Sequence, residues 1–246
     1  MDLHTADIVG FEALLRWHHP DLGQVSPTDF IPVAEDAGLI GDIGRWVIDN
    51  ACVEAQAWPR SLRVAINLSP LQIMAQDLNA TIGAALVRSG LSPKRVEFEV
   101  TESVLLNETQ ATLSQLHGMR EIGARIALDD FGTGYSSMAY LRRFPFDKLK
   151  IDRSFVREMV DGQDARAIVK AMLDVAAALN MDTVAEGVET LPELHALHAL
   201  GCKVVQGYFV ARPMPAAAVA AFLLGWEQHP TRRLLVRHNE ELAVTV

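Results

Sequence analysis

Seven strand-like segments of the chain each end on polar side chains. In chain order, these side chains belong to Glu12, Asn67, Glu99, the pair Asp129-Asp130, Lys150, Glu186 and Gln206. A single acidic residue after a strand often caps the next helix or is solvated in a loop. Strand ends have no structural need for acids, however, so polar residues at all seven ends together indicate a functional site.

Five of these side chains are carboxylates, and Lys150 alone cannot compensate for their charge. At about 4 Å and an effective dielectric near 20, each like-charged pair costs on the order of 4 kcal/mol. Either some of the acids are protonated or divalent cations bind among them. Oxygen ligands from Asp, Glu and Asn suit Mg²⁺ or Mn²⁺. Adjacent aspartates such as Asp129 and Asp130 can serve two neighbouring ions, the arrangement that two-metal phosphoryl hydrolysis requires.

The paired aspartates precede a glycine- and hydroxyl-rich segment, 131–137 (Phe-Gly-Thr-Gly-Tyr-Ser-Ser). This segment is either an ordinary turn between a strand and a helix or a mobile loop that responds to metal or substrate. The histidines carry no metal signature: His18-His19-Pro20 is typical of a turn, and His195 with His198 lacks the HExxH spacing of zinc proteases.

Periodicity places these polar residues on a regular series of elements. Strand-like runs cover 8–15, 62–67, 95–101, 125–130, 148–151, 182–186 and 203–206. Helical patterns lie between the strands. Ser69-Pro70 predicts the start of a helix that Gly90 ends, and Thr190 with Glu193 has the spacing of a capping box. Two further helices show apolar stripes, which are Leu113, Leu116, Met119 and Ile122 before Gly123, and Ile168, Met172, Val175 and Leu179.

Strands that alternate with helices predict an α/β fold with parallel βαβ units. A chain of 246 residues fits either a doubly wound sheet or a (β/α)8 barrel. Because neither GxGxxG nor GxxxxGKS/T follows a strand, the barrel is favoured. The sequence nevertheless supplies seven strands instead of eight.

The composition narrows the class of protein further. Half of the residues are hydrophobic, and the net charge is −9, from 22 basic and 31 acidic residues. This charge disfavours binding to duplex nucleic acid. The absence of a signal peptide and of a membrane-spanning segment predicts a cytoplasmic location. Cys52 and Cys202 have no CxxC partner, so we expect two reduced, packed thiols.

The sequence resembles an EAL-type cyclic di-GMP phosphodiesterase domain over roughly Thr5 to Leu224. The resemblance rests on seven motifs in order: Glu12-Ala13-Leu14-Leu15-Arg16-Trp17, Asn67-Leu68-Ser69, Glu99-Val100-Thr101-Glu102, Asp129-Asp130-Phe131-Gly132-Thr133-Gly134, Lys150-Ile151-Asp152, Glu186-Gly187-Val188-Glu189 and Gln206-Gly207-Tyr208. One such motif would be weak evidence. Seven in order, at the strand ends already identified, are strong evidence.

The resemblance implies a role for each matching residue. The first metal ion, Mg²⁺ or Mn²⁺, would be held by Glu12, Asn67, Glu99 and Asp129. The second would be held by Asp129, Asp130 and Glu186. Water between the two ions would attack a phosphodiester of cyclic di-GMP to give linear pGpG.

Other matching residues would assist these steps. Lys150 and Gln206 would orient the water or the phosphate, Arg16 would hold a phosphate oxygen with its planar donor group, and Leu14 would contact the substrate. Glu102 resembles the family glutamate that anchors the glycine-rich loop, and Glu189 would help it.

The departure from the family lies at the start of the chain. Members usually begin with an additional antiparallel strand that carries a Gln-Pro pair, and this chain starts just after it. We therefore expect a TIM-like (β/α)8 barrel of EAL type over residues 1–224 that lacks this strand, with a C-terminal tail over 225–246. The chain would be a fragment of a longer protein with upstream sensor or GGDEF domains, or the tail or a partner chain would fill the gap. An open edge also favours a homodimer.

Three other functions remain open at this stage. A receptor that binds cyclic di-GMP without hydrolysing it could lose Asp129, Asp130, Lys150 and Glu186, and this sequence keeps all four. A barrel enzyme that uses Lys150 as the base in metal-assisted enolisation would act on different substrates. A purely structural module would give no reason for the acids at the strand ends.

Overall fold

The computed structural model describes residues 1–59, 61–106, 109–132 and 138–244. The described chain divides into two compact units. We call them the β1–β5 unit, which comprises 10–127 and 138–145, and the β7–β9 unit, which comprises 1–9, 128–132 and 146–244.

The β1–β5 unit alternates strands with helices. Its strands are β1 (Gly10–Ala13), β2 (Trp17–His19), β3 (Gly23–Val25), β4 (Arg63–Leu68) and β5 (Val96–Thr101). Its helices are α1 (Pro27–Asp36), α2 (Ile40–Gln56), α3 (Pro70–Met74), α4 (Leu78–Ser89), α5 (Ser103–Leu106), α6 (Gln110–Ile122) and α7 (Met138–Arg143), with a 3₁₀ turn at Pro93–Arg95. Strands β1, β4 and β5 pair in parallel, whereas β2 and β3 form an antiparallel hairpin.

Strand β6 (Arg125–Phe131) begins in the β1–β5 unit and ends in the β7–β9 unit. The remaining strands are β7 (Lys148–Ile151), β8 (Asp182–Ala185) and β9 (Val204–Val205), which pair in parallel. The remaining helices are α8 (Arg153–Glu158), α9 (Gln163–Ala178), α10 (Leu191–Ala199), α11 (Ala216–Gly225) and α12 (Pro230–Val244), with a 3₁₀ turn at Trp226–Gln228.

The strand prediction is confirmed. All seven predicted segments contain a strand, and the seven-stranded sheet has the order β1-β4-β5-β6-β7-β8-β9. The hairpin was not predicted. His18 and His19 lie in β2, and the turn follows them, where His19 Nδ1 accepts hydrogen bonds from the backbone amides of Asp21 and Leu22.

The predicted helix ends are confirmed at Ser69, Gly90, Gly123 and Thr190. A single helix from Ser69 to Gly90, however, is wrong. Helix α3 ends at Met74 because Ala75 is extended, and the Ala75 carbonyl accepts a hydrogen bond from Gln115 Nε2 at 2.9 Å.

The predicted apolar stripe of α9 is only partly correct. Met172 is buried, but the Ile168 side chain is 44% exposed. The predicted stripe contains only large apolar residues, whereas two of the buried positions of this helix are alanines. The buried residues of this helix are Ala165, Val169, Met172, Leu173 and Ala176.

The N-terminal residues of the β7–β9 unit are held by its last strand and its C-terminal helices. Leu3 N donates to Lys203 O at 2.8 Å, and Asp2 forms an antiparallel bridge with Val204. Buried Trp226 donates from Nε1 to Ala6 O at 2.9 Å. Trp226 and Asn239 thus both donate hydrogen bonds to this segment, and the domain boundary at residue 224 stays a prediction.

The two cysteines and the helix lengths were also the subject of predictions. Cys52 and Cys202 are both free and buried, as predicted, and burial raises the pKa of each thiol to about 11. Within the described part of the chain, no helix is both long enough and apolar enough to cross a membrane.

Four histidines cluster in the β7–β9 unit. The rings of His195 and His238 stack with centroids 4.1 Å apart, and His198 lies 5.5 Å from His238 and 5.4 Å from His4. Burial, together with the neighbouring charges of His4, His238 and His195, lowers the pKa of His198 below its ordinary value of 6.5. The folded state therefore favours neutral His198.

Because this pKa is lower in the folded state than in the unfolded chain, the unfolded chain binds the proton more readily. Stability is therefore fully present above about pH 6.5 and falls as the pH drops towards the folded-state pKa. We expect the thermal denaturation midpoint to fall less between pH 8 and pH 5.5 in His198→Gln than in the wild type. His117→Gln, which changes an exposed histidine on α6, is the control. Equal losses in all three proteins would contradict the expectation.

Candidate active site

Three predicted ligands share one face of the sheet in the β1–β5 unit. In the parallel register, Glu12 of β1 is paired with Ala65 of β4, and Asn67 of β4 is paired with Glu99 of β5. Ala65 and Asn67 are two residues apart and therefore face the same side. The register thus brings Glu12, Asn67 and Glu99 to one face, towards the carboxyl ends of three adjacent strands.

Asn67 and Glu12 of this group are in close contact. Asn67 Nδ2 donates to Glu12 Oε1 at 2.6 Å, which fixes the amide against the carboxylate. Glu99 is buried, with 3% of its surface exposed, whereas Asn67 is exposed. Two carboxylates and one amide oxygen form a donor set whose chemistry suits a hard divalent cation.

In the β7–β9 unit, Lys150 lies between two carboxylates. Its Nζ is 3.0 Å from Asp129 Oδ2 and 2.6 Å from Glu186 Oε1. The lysine is only 2% exposed. A buried ammonium is costly unless it is paired, so the two carboxylates stabilise it, and it in turn compensates their negative charge.

Backbone geometry fixes the paired aspartates. Asp130 has a φ of 55°, the left-handed conformation that costs a non-glycine residue about 1–2 kcal/mol. Its backbone N–H donates to Asp129 Oδ1 at 2.9 Å. Asp129 is therefore held on one oxygen by the backbone and on the other by Lys150. Strain of this kind is typical of functional sites.

The segments after β8 and β9 are bound to each other through their backbones. Gln206 N donates to Ala185 O at 2.8 Å, and Val188 N donates to Gln206 O at 3.0 Å. A Cβ atom on Gly207 would lie 2.2 Å from Val188 O, so only glycine permits this approach. The approach fixes the backbone of Gln206, which follows β9 directly.

The predicted substrate contacts after β1 lie at the surface. Leu14 is 42% exposed, and Arg16 is also exposed, with Nη1 donating to Leu15 O at 2.9 Å. Its guanidinium keeps further N–H groups for a phosphate, since arginine carries five donors.

The residues predicted to anchor the glycine-rich loop differ in their surroundings. Glu102 is buried, whereas Glu189 is partly exposed and pairs with Arg157 at 2.9 Å. Residues 133–137 of that loop lie outside the described residues. Anchoring by Glu102 and Glu189 therefore stays a prediction.

A metal fits the donor chemistry of both groups. Among the described residues, no three or more His, Cys, Asp or Glu side chains form a cluster that could hold an ion by themselves. The face of the β1–β5 unit instead combines two glutamates with the oxygen of Asn67, and Asp129 and Glu186 are oxygen donors with Lys150 between them. These are ligand types that Mg²⁺ and Mn²⁺ accept.

One part of the arrangement was missed from the sequence. Ser69 was predicted only as a helix cap, but its hydroxyl also donates to Glu35 of α1 at 2.5 Å. Residues 34 positions apart in the chain carry no spacing signal that could reveal this contact.

Comparisons with known proteins bear directly on this arrangement. A family model described as EAL domain matches residues 1–213. An uncharacterised protein of Sinorhizobium fredii is 47% identical over 222 residues, which cover 90% of this chain and 27% of that protein. The bifunctional diguanylate cyclase/cyclic di-GMP phosphodiesterase MucR of Pseudomonas aeruginosa is 43% identical over 218 residues, which cover 87% of this chain and 32% of that protein. The chain thus spans about a quarter to a third of the length of these relatives.

A solved structure agrees with the sequence comparison. The MucR phosphodiesterase in complex with c-di-GMP superposes with a TM-score of 0.83 at 43% identity, covering 87% of this chain and 88% of that chain. The predicted α/β class and the TIM-like fold of EAL type are confirmed by this similarity.

Proposed function

The chain belongs to the EAL domain family, and from that premise we propose that it is a metal-dependent phosphodiesterase that hydrolyses cyclic di-GMP to linear pGpG. The observation that carries the proposal is the buried Lys150, which is 3.0 Å from Asp129 and 2.6 Å from Glu186. A protein that only binds the dinucleotide has no need to bury an ammonium between two carboxylates.

The proposed cofactors are two Mg²⁺ or Mn²⁺ ions. One would be held by Glu12, Asn67, Glu99 and Asp129, and the other by Asp129, Asp130 and Glu186. When bound, two such ions supply an activated water and neutralise charge on the phosphate. The support is the donor chemistry of each group, together with the short contact between Asn67 and Glu12.

The chain's own residues perform the remaining steps. Lys150 holds Asp129 and Glu186 in position and offers its ammonium to the reacting phosphate or to the water. Gln206, whose backbone is fixed after β9, orients the same groups through its amide. Electrostatic stabilisation of this kind is usually the largest single contribution to catalysis.

Substrate binding is assigned to the segment after β1. Arg16 would grip a phosphate oxygen with its planar guanidinium, and Leu14 would contact the nucleotide with its exposed side chain. Glu102 and Glu189 would hold the glycine-rich loop.

The wider context of the chain is part of the same proposal. We propose that the chain acts as a cytoplasmic signalling module and as a homodimer, within a longer protein that carries upstream sensor or GGDEF domains. The support for a longer protein is that MucR is named as both a cyclase and a phosphodiesterase and is about three times as long as the matching segment. The support for a homodimer is the general tendency of an open sheet edge to pair. The net charge of −9 disfavours duplex nucleic acid as a partner.

Product analysis tests the proposed activity. The purified chain is incubated with cyclic di-GMP and Mn²⁺, and the nucleotides are separated. We expect linear pGpG to accumulate and cyclic di-GMP to disappear. Unchanged cyclic di-GMP that nevertheless binds to the protein would identify a receptor instead. Hydrolysis of unrelated phosphodiesters at the same rate would overturn the assigned substrate.

A further inference from the structure

Glu35 contacts the turn that follows Asn67. It is the second-last residue of α1, and its Oε1 accepts a hydrogen bond from Ser69 Oγ at 2.5 Å. Ser69 comes two residues after Asn67 and is the N-cap of α3. The contact therefore joins α1 to the chain directly behind a proposed metal ligand.

The contact with Glu35 determines how the Ser69 hydroxyl uses its hydrogen and its lone pairs. A serine hydroxyl carries one hydrogen to donate and two lone pairs to accept with. The hydrogen goes to Glu35, which leaves the lone pairs for the first amides of α3, including Leu71 N at 3.2 Å. The carboxylate thus sets the direction in which the hydroxyl caps the helix.

A second contact holds the same turn from the other side. Gln72 Oε1 accepts from Ser69 N at 3.1 Å, and Gln72 is buried. Its amide packs so closely on α2 that a Cβ atom on Gly44 would lie 1.8 Å from Gln72 Nε2. The turn after Asn67 is therefore fixed by α1 through Glu35 and by α2 through Gln72.

Local helix stability does not explain a carboxylate at position 35. The C-terminal end of a helix carries partial negative charge, so an anion in its last turn is unfavourable. Helix α1 has no basic residue in that turn. The gain from Glu35 therefore lies in its tertiary contact, and charge-assisted hydrogen bonds of this kind are the strong ones.

We propose that Glu35 is a positioning residue, which acts through Ser69 to hold Asn67 against Glu12 in the geometry that a divalent cation requires. The Asn67 amide reaches Glu12 at 2.6 Å, so a small shift of the turn changes that contact. This inference rests on the proposed function only in taking Asn67 and Glu12 as cation ligands.

Mn²⁺ binding to the metal-stripped chain tests the proposal without any turnover. Affinity is measured by calorimetric titration for the wild type, Glu35→Ala, Ser69→Ala, the double variant and Asp36→Asn. Partners outside the ligand shell typically contribute about 10- to 100-fold to metal affinity. We expect Glu35→Ala to weaken binding about tenfold and Asp36→Asn, which changes the exposed neighbouring acid, to bind as the wild type does.

The double variant separates positioning from a general loss of stability. If Glu35 acts through Ser69, the double variant binds Mn²⁺ no more weakly than Ser69→Ala alone. Glu35→Gln retains an acceptor oxygen for Ser69 and is expected to recover most of the affinity. If Glu35→Ala fails to fold, Glu35→Gln is still measured against the wild type. Ser69→Thr, which keeps the hydroxyl, is then compared with Ser69→Ala, which lacks it.

Wild-type affinity in folded Glu35→Ala, or equal loss in Glu35→Gln and Glu35→Ala, would overturn the proposal. So would losses that add independently in the double variant. Failure of the proposed function has a different result: the wild type would bind Mn²⁺ with the predicted dependence on Glu35 and yet leave cyclic di-GMP intact.

Discussion

Asp129→Ala is expected to hydrolyse cyclic di-GMP well over a hundredfold more slowly than the wild type. Substitutions of residues outside the ligand shell of a metal site typically lower metal affinity or activity about 10- to 100-fold. Asp129 is proposed as a direct ligand shared by both ions, so its loss should cost more. The substitution also removes the partner that lies 3.0 Å from Lys150 Nζ. The rate of pGpG formation at saturating Mn²⁺ measures the effect.

Asp182→Ala provides the matched control for this substitution. Asp182 is an exposed aspartate at the amino end of β8, whereas the proposed site residues lie towards or just beyond the carboxyl ends of their strands. We expect this variant to retain wild-type turnover. Removal of divalent ions from the wild type with a chelator should abolish turnover, and added Mn²⁺ should restore it. Undiminished turnover by the metal-stripped wild type would contradict the two-ion mechanism.

Lys150→Met is the second substitution with a large expected effect, a loss of turnover of about a hundredfold or more. Methionine keeps most of the length and volume of lysine but lacks the ammonium. The variant therefore leaves Asp129 and Glu186 without the cation that lies 3.0 Å and 2.6 Å from them. Removing one partner from a buried ion pair typically destabilises a protein by about 3–5 kcal/mol.

Two measurements separate the catalytic from the structural consequence of this change. The denaturation midpoint of Lys150→Met should fall most in the absence of divalent ions and partly recover with Mn²⁺, while turnover stays low in both conditions. Lys148→Met, on the same strand two residues earlier, is the control and should retain turnover. If Mn²⁺ restored turnover along with stability, Lys150 would have no role beyond compensating charge.

The sequence was sufficient for most elements of the sheet. Short apolar runs separated by helical patterns locate all seven strands, because the runs are only about four to eight residues long, whereas helices need longer segments with a helical period. Ser69 and Thr190 were identified as helix caps because capping depends on local hydrogen bonds within four residues. Local chemistry is thus readable from local sequence.

Features that depend on distant residues could not be predicted in this way. The break at Ala75 is stabilised by a hydrogen bond with Gln115, which lies 40 positions further along the chain. The exposure of Ile168 depends on which face α9 turns towards its neighbours. The position of Lys150 between Asp129 and Glu186 likewise arises only when three strands are assembled.

The attachment of residues 1–6 to the far end of the chain has a consequence for biosynthesis. Leu3 and Ala6 find their hydrogen-bond partners at Lys203 and Trp226, and Asn239 Nδ2 donates to the Leu3 carbonyl. Ribosomes add about 5–20 residues per second, so this segment leaves the ribosome roughly 10–40 seconds before its partners. During that interval its backbone polar groups lack their native partners, and a nascent chain that stalls before residue 203 cannot complete the β7–β9 unit.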